Sequence, residues 1–181
     1  MANDTLSEIL REVIRTIPNF PTEGVQFRDI TTFIANGNVF KQSIDDFKER
    51  YNGQVDVVAG YDARGLIFGG ALAYALGVGL VPLRKSGKLP GKVISASYQL
   101  EYGKNTLEIP EGILKSEQRV LLLDDLCATG GTALAGADLV KQEGGIITAF
   151  ACVVDLPELG GSRRIIERRI PFYSQVQYEG D

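Results

Sequence analysis

Four short apolar runs, Val55–Ala59, Val78–Leu83, Arg119–Leu123 and Ile146–Val154, constrain how this chain can fold. They are apolar at nearly every position rather than at every second one. A strand reads that way when both of its faces are buried, as in a parallel sheet packed between helices. The intervening stretches suit helices. Leu66–Leu76 has helical length and is followed by Gly77, a residue suited to a left-handed C-cap. Phe40, Ile44, Phe47 and Tyr51 recur at helical spacing within Val39–Tyr51. A helix to about Glu143, a short helix over Ser162–Arg168 and a last strand over Phe172–Gln177 complete the alternation. That pattern predicts an α/β protein with a central, mostly parallel sheet flanked by helices. Ligands in such folds sit at the carboxyl ends of the strands. Chemistry is therefore expected in the loops beginning at Gly60, Arg84 and Asp124.

The N-terminal stretch places Leu6, Ile9, Leu10, Val13, Ile14 and Ile17 at helical spacing, with Thr5 and Glu8 as a capping box and Pro18 as the stop. Its charged residues exclude a signal peptide. About 19 uncharged residues lie between Arg64 and Arg84, close to the spanning threshold, but five glycines and Pro82 interrupt them. A buried helix followed by a buried strand explains that run better than a membrane does. With 181 residues and no linker or repeat, residues 1–181 are expected to form a single domain. The only cysteines, Cys127 and Cys152, are too few for a disulfide framework and suit a reducing, cytoplasmic setting.

The chain contains no histidine. That removes Ser-His-Asp and Cys-His machinery and every zinc site that needs imidazole. Acid–base work near neutral pH then falls to a carboxylate, Lys, Tyr, Cys or the substrate. A net charge of −4 argues against general nucleic-acid binding. The charge is uneven, however. Residues 84–104 hold Arg84, Lys85, Lys88, Lys92 and Lys104 against Glu101 alone, a local excess of four positive charges, so the remainder carries −8.

The richest segment runs from Val120 to Thr132. Its apolar strand ends in Asp124 and Asp125, and Ala128-Thr129-Gly130-Gly131-Thr132 then opens a helix. Small residues let backbone N–H groups approach an anion, the helix N-terminus adds its positive dipole end, and the threonines add hydroxyl donors. The acids would repel a phosphate unless they face hydroxyls or a metal. A phosphorylated sugar satisfies both halves. Neither the nucleotide-triphosphatase loop nor the dinucleotide fingerprint is present.

Asp124-Asp125-Leu-Cys-Ala-Thr-Gly-Gly-Thr132 resembles the ribose-phosphate signature of type I phosphoribosyltransferases, with Cys127 where that family more often has an aliphatic residue. Phe20-Pro-Thr-Glu-Gly-Val-Gln-Phe-Arg-Asp-Ile-Thr31 resembles the base-recognition segment of the adenine phosphoribosyltransferases among them. Gly60-Tyr-Asp-Ala-Arg-Gly65 resembles their diphosphate loop, with Asp62 where many relatives carry Glu. Leu83–Gly91 and Tyr98–Lys104 resemble their basic loop and mobile catalytic flap.

The resemblance implies the type I fold with a small hood and a mobile catalytic flap, residues 1–32 forming the N-terminal helix and base-recognition segment and residues 84–109 the basic loop and flap. It implies transfer of a phosphoribosyl group from phosphoribosyl diphosphate to adenine, giving AMP and diphosphate. Asp124 and Asp125 would hold the ribose hydroxyls, and Ala128, Thr129, Gly130, Gly131 and Thr132 the 5′-phosphate. Asp62, Ala63, Arg64, Arg84, Lys85 and Lys88 would attend the diphosphate, with Arg64 also catalytic. Val25, Gln26, Phe27 and Arg28 would read adenine. Glu101 would be the acid–base residue, with Tyr102 beside it shielding the site. Mg²⁺ is the implied cofactor, held mainly through the substrate rather than by direct protein ligands. A homodimer is implied, in which one loop cation can come from the partner subunit. A purine transferase preferring hypoxanthine, guanine or xanthine, a regulator retaining the fold, and an unrelated sugar-phosphate binder are the alternatives.

Overall fold

A computed structural model describes residues 2–100 and 103–179; Glu101 and Tyr102 lie outside the described residues. The chain runs α1 (Ala2–Val13), β1 (Arg15–Pro18), β2 (Gln26–Asp29), α2 (Thr31–Ala35), α3 (Gly37–Tyr51), β3 (Val57–Tyr61), α4 (Gly65–Leu76) and β4 (Gly79–Lys85). It continues through β5 (Val93–Leu100), β6 (Gly103–Pro110), β7 (Arg119–Cys127), α5 (Gly131–Gln142), β8 (Ile146–Asp155), α6 (Gly161–Glu167) and β9 (Phe172–Gln177).

Seven strands form one sheet in the order β5-β6-β4-β3-β7-β8-β9. From β4 to β9 the neighbours are parallel, while the β5–β6 hairpin joins β4 antiparallel. The continuous apolar runs follow from burial on both faces. Along β7, Leu121 and Leu123 enter one core with Leu10, Phe33, Phe47 and Phe68 from the N-terminal helices and α4. Val120 and Leu122 enter a second core with Leu139, Val140 and Ile165 from α5 and α6. Successive side chains on a strand point to opposite faces, so such a strand must be apolar throughout. The uncharged stretch after Arg64 divides as expected into helix α4, capped by Gly77 at φ 69°, and strand β4. Among the described residues no helix is long and apolar enough to cross a membrane.

Four local expectations need correcting. The first helix starts at Ala2 and ends at Val13, so Thr5 and Glu8 lie inside it rather than at its cap. Arg15–Pro18 leaves the helical pattern because it pairs antiparallel with β2, Ile17 lying opposite Phe27. The cationic stretch after Lys85 is largely a hairpin, with Val93 to Leu100 in register with Pro110 to Gly103. Strand β7 does not stop at Leu123. It keeps pairing with β8 as far as Cys127 opposite Asp155, which places both acids within the sheet.

Tyr61, at the end of β3, lies fully buried under α5 and donates its hydroxyl proton to the Ala133 carbonyl at 2.9 Å. This is possible only because residue 136 is glycine. A Cβ there would fall 2.3 Å from the Tyr61 hydroxyl oxygen and 2.7 Å from its ring. Gly136→Ala is expected to destabilise the fold by about 1–3 kcal/mol, the usual cost of overpacking. Urea unfolding measures it, and an unchanged midpoint would show that helix and ring separate freely.

Candidate active site

Between Cys127 and Gly131 the chain turns from β7 into α5. Gly130 makes the turn at φ 78°, a left-handed conformation that costs glycine little. The start of α6 closes against this turn, backbone on backbone. Gly161 N–H donates to the Ala128 carbonyl at 2.9 Å. A Cβ on Gly161 would lie 2.2 Å from that oxygen, and one on Gly130 would lie 3.0 Å from Gly161. Arg164 adds a guanidinium hydrogen bond to the Thr129 carbonyl at 2.8 Å. The loop is thus braced from behind, with the N-terminus of a 12-residue helix on its other side.

The two acids of β7 have different surroundings. The Asp124 carboxylate accepts the Asp125 backbone N–H at 2.8 Å. It has room because residue 65 is glycine, where a Cβ would meet its Oδ1 at 2.7 Å. Burial first, and then the charge of Asp125, push the Asp124 carboxyl well above the usual carboxylate range. Asp125 is buried, and its Oδ2 lies 2.7 Å from Arg64 Nε as a charge contact without an aligned hydrogen bond. Arg64 therefore turns to Asp125, across the strand boundary, rather than to nearby Asp62. Asp62 pairs with Arg84 Nε at 3.0 Å, and the Asp62–Ala63 peptide is cis.

A cleft of about 890 Å³ opens over these groups. Val25, Gln26, Phe27 and Arg28 form one wall, and Arg64, Asp124 and the Ala128–Thr132 loop form the floor. The structure thus brings together three of the sequence-predicted groups. Asp125 stands behind Arg64 rather than on the cleft surface described. Asp62, Ala63, Arg84, Lys85 and Lys88 lie off this cleft, where Arg84 also donates to the Lys88 carbonyl at 3.0 Å. Sequence reasoning missed the far wall, made by Leu126, Leu156, Leu159 and Arg164. A signal was present. Leu156 and Leu159 follow the carboxyl end of β8, a ligand-facing position by the same rule that selected the loops after β3, β4 and β7.

A model of the phosphoribosyl transferase domain matches residues 29–176. An adenine phosphoribosyltransferase of Paracidovorax citrulli is 49% identical over 99% of this chain and 100% of its own length. The chain belongs to the adenine phosphoribosyltransferase family. The crystal structure of the Rhodothermus marinus member superposes with a TM-score of 0.90 at 39% identity, covering 97% of this chain and 99% of that one. The Saccharomyces cerevisiae member, crystallised with an imino-altritol bisphosphate and adenine, gives 0.89 at 34%, covering 95% and 99%.

In this family member the wall carrying Val25–Arg28 is fastened from its far end. Asp29 accepts the Thr31 hydroxyl at 2.6 Å and its N–H at 3.0 Å, and takes the Arg15 guanidinium at 2.5 Å. Arg28 lies over the Tyr178 ring, 4.3 Å from its centroid, and donates to the Thr16 hydroxyl at 2.6 Å. The Thr31 bonds, with help from Arg15, lower the Asp29 carboxyl from 3.8 to about 2. A depressed carboxyl stabilises the fold above its ordinary value and loses that contribution as pH falls through its folded value. Asp29→Asn is expected to lower Tm near pH 7, with the gap to the wild-type chain narrowing between about pH 4 and about pH 2. Calorimetric scans across that window test this, and a gap independent of pH would show that the carboxylate charge contributes nothing.

Proposed function

We infer that this chain transfers the 5-phosphoribosyl group of phosphoribosyl diphosphate to adenine, releasing diphosphate and forming AMP, a purine-salvage reaction. One observation carries the reading. An acid pair in a buried strand runs directly into an amide-rich loop at a helix N-terminus, beneath a cleft with apolar walls. Phosphate suits the loop, sugar hydroxyls suit the acids, and a flat base suits the walls.

The 5′-phosphate sits on Ala128, Thr129, Gly130, Gly131 and Thr132, taking backbone N–H groups and threonine hydroxyls. Asp124 accepts a ribose hydroxyl on the cleft floor, and Asp125, which does not line the cleft while paired with Arg64, accepts the second as that guanidinium engages the diphosphate. For a carboxyl pushed up by burial, a sugar O–H supplies the donor that water no longer does. Arg64 bridges the Asp125 carboxylate and the diphosphate side, where a guanidinium stabilises the charge that develops as the C1–O bond breaks. Ala63, Asp62, Arg84, Lys85 and Lys88 form the remainder of that side. Leu156 and Leu159 face Val25–Arg28 across the cleft and give adenine an apolar slot. Adenine loses its N9 proton as it attacks, and Glu101 on the flap is assigned that proton, with Tyr102 excluding water.

Among the described residues no group of three acid, cysteine or histidine side chains converges to hold a metal. Mg²⁺ needs no such cage, since it binds through one or two carboxylates and substrate oxygens. Asp124 and Asp125, facing the sugar, fit that habit. When bound, Mg²⁺ would neutralise the leaving diphosphate.

The working form is assigned as a homodimer of one-domain subunits. Helix α4 and strand β4 leave large apolar side chains exposed, Ile67, Leu80 and a Tyr74 that is 90% exposed. A second copy seated there buries these side chains and can lend a loop cation to its neighbour's diphosphate side. Two free, buried cysteines suit the cytoplasm.

The test is the reaction itself. Enzyme, Mg²⁺ and phosphoribosyl diphosphate are mixed with adenine, hypoxanthine, guanine or xanthine, and nucleotide and diphosphate are measured. AMP from adenine is expected well ahead of product from any other purine. Equal or greater turnover of an oxopurine would overturn the substrate assignment. Asp124→Asn combined with Asp125→Asn is expected to cut kcat/KM by about 100-fold or more, as two charge-assisted hydrogen bonds to the sugar are lost. Near-wild-type turnover would remove the acids from the ribose role.

A further inference from the structure

Glu108 lies on β6, the strand that returns from the flap, and is 6% exposed. Buried carboxylates are costly unless their oxygens are satisfied. Both oxygens of this one are engaged, and both reach into the same turn of the cationic loop. Oε1 accepts the Ser86 hydroxyl at 2.5 Å, and Oε2 accepts the Gly87 backbone N–H at 3.0 Å. Backbone pairing supports the clasp. Arg84 lies opposite Glu108 and Lys85 opposite Leu107, and Ser86 N–H donates to the Thr106 carbonyl at 3.1 Å. The turn carries three of the chain's cations, Arg84, Lys85 and Lys88. Beyond it the connection continues: the Lys88 carbonyl accepts from Arg84, and Arg84 pairs with Asp62 in the loop after β3. One chain of contacts thus joins the base of the flap hairpin to the loop after β3.

We propose that Glu108 is a positioning residue that clasps the turn at 86–87 and thereby holds Arg84, Lys85 and Lys88 in place for the diphosphate. The proposal rests on the reading of residues 84–88 as part of the diphosphate side. It explains why an acid is buried beside the most cationic stretch of the chain. As a bare charge Glu108 would weaken anion binding there. As a clasp it strengthens binding by ordering the cations, because groups already held in place lose less freedom when the ligand arrives.

These two roles predict opposite signs. Titration calorimetry of inorganic diphosphate with Mg²⁺ is run on the wild-type chain, Glu108→Gln, Glu108→Ala and Ser86→Ala, beside the KM for phosphoribosyl diphosphate. The clasp requires diphosphate affinity and KM to worsen by about tenfold in Glu108→Ala. Glu108→Gln, which keeps one acceptor, and Ser86→Ala, which removes one donor without touching the buried acid, should each worsen them by a smaller factor. The KM for adenine should stay within about twofold, because the base wall is not in this chain of contacts. Unchanged or tighter diphosphate binding in soluble, folded Glu108→Gln and Ser86→Ala would overturn the proposal, as would an equal rise in the adenine KM. Diphosphate binding needs no turnover. If the wild-type chain binds diphosphate but makes no AMP, the functional reading fails while the affinities still decide the clasp.

Discussion

Two adjacent carboxylates inside the central strand of a buried parallel sheet are the constraint to which the rest of the site answers. Asp124 and Asp125 continue β7 beyond its apolar run, with Asp124 opposite Cys152 on β8. Charges in such a place need partners. Residue 65 is glycine, leaving room for Asp124, the Asp125 N–H turns to Asp124, and Arg64 at the start of α4 turns to Asp125. These contacts link the loop after β3 to the last residues of β7. The Asp124 carboxyl is raised by burial and by its neighbour's charge. A group in that state has much to gain from a ligand hydroxyl.

The second constraint is steric. The turn from β7 into α5 and the start of α6 approach so closely that only glycine fits at 161, and Gly130 sits in the same contact. Arg164 then holds Thr129 and also lines the cleft. The turn at Ala128–Gly131 is therefore closely packed against the start of α6, next to the cleft wall at Leu156 and Leu159. The wall at Val25–Arg28 is anchored separately, through Asp29, Thr31 and Arg15. Charge is divided in the same spirit. The net −4 of the chain hides a cationic segment, and just beyond it the buried acid Glu108 is committed to the turn at Ser86 and Gly87.

Much of this was legible in the residues. Runs apolar on every position announced a sheet covered on both faces, and β9 at Phe172–Gln177 falls where its pattern places it. The Ala128–Thr132 segment stood out because small residues, hydroxyls and acids occur together in few other settings, and it does form the turn from β7 into α5. The misreadings have physical causes. Arg15–Pro18 keeps a helical apolar rhythm, but pairing with β2 and the Arg15–Asp29 contact outweigh local propensity. β7 was cut short at its first charge, because a strand rule based on hydropathy cannot see that Asp125 has a guanidinium waiting. Leu156 and Leu159 were passed over although their loop follows the carboxyl end of β8, and the sheet order, which sets β8 beside β7, brings that loop to the cleft.

The central claim is that the acid pair faces sugar while the adjoining loop faces phosphate. Comparing ribose 5-phosphate with 2-deoxyribose 5-phosphate by titration calorimetry isolates it, since both ligands bring the same phosphate and differ by one hydroxyl. Loss of that hydroxyl is expected to weaken binding by about tenfold or more, the worth of a hydrogen bond to a charged acceptor. Equal affinities would contradict the claim and leave Asp124 and Asp125 without a ligand.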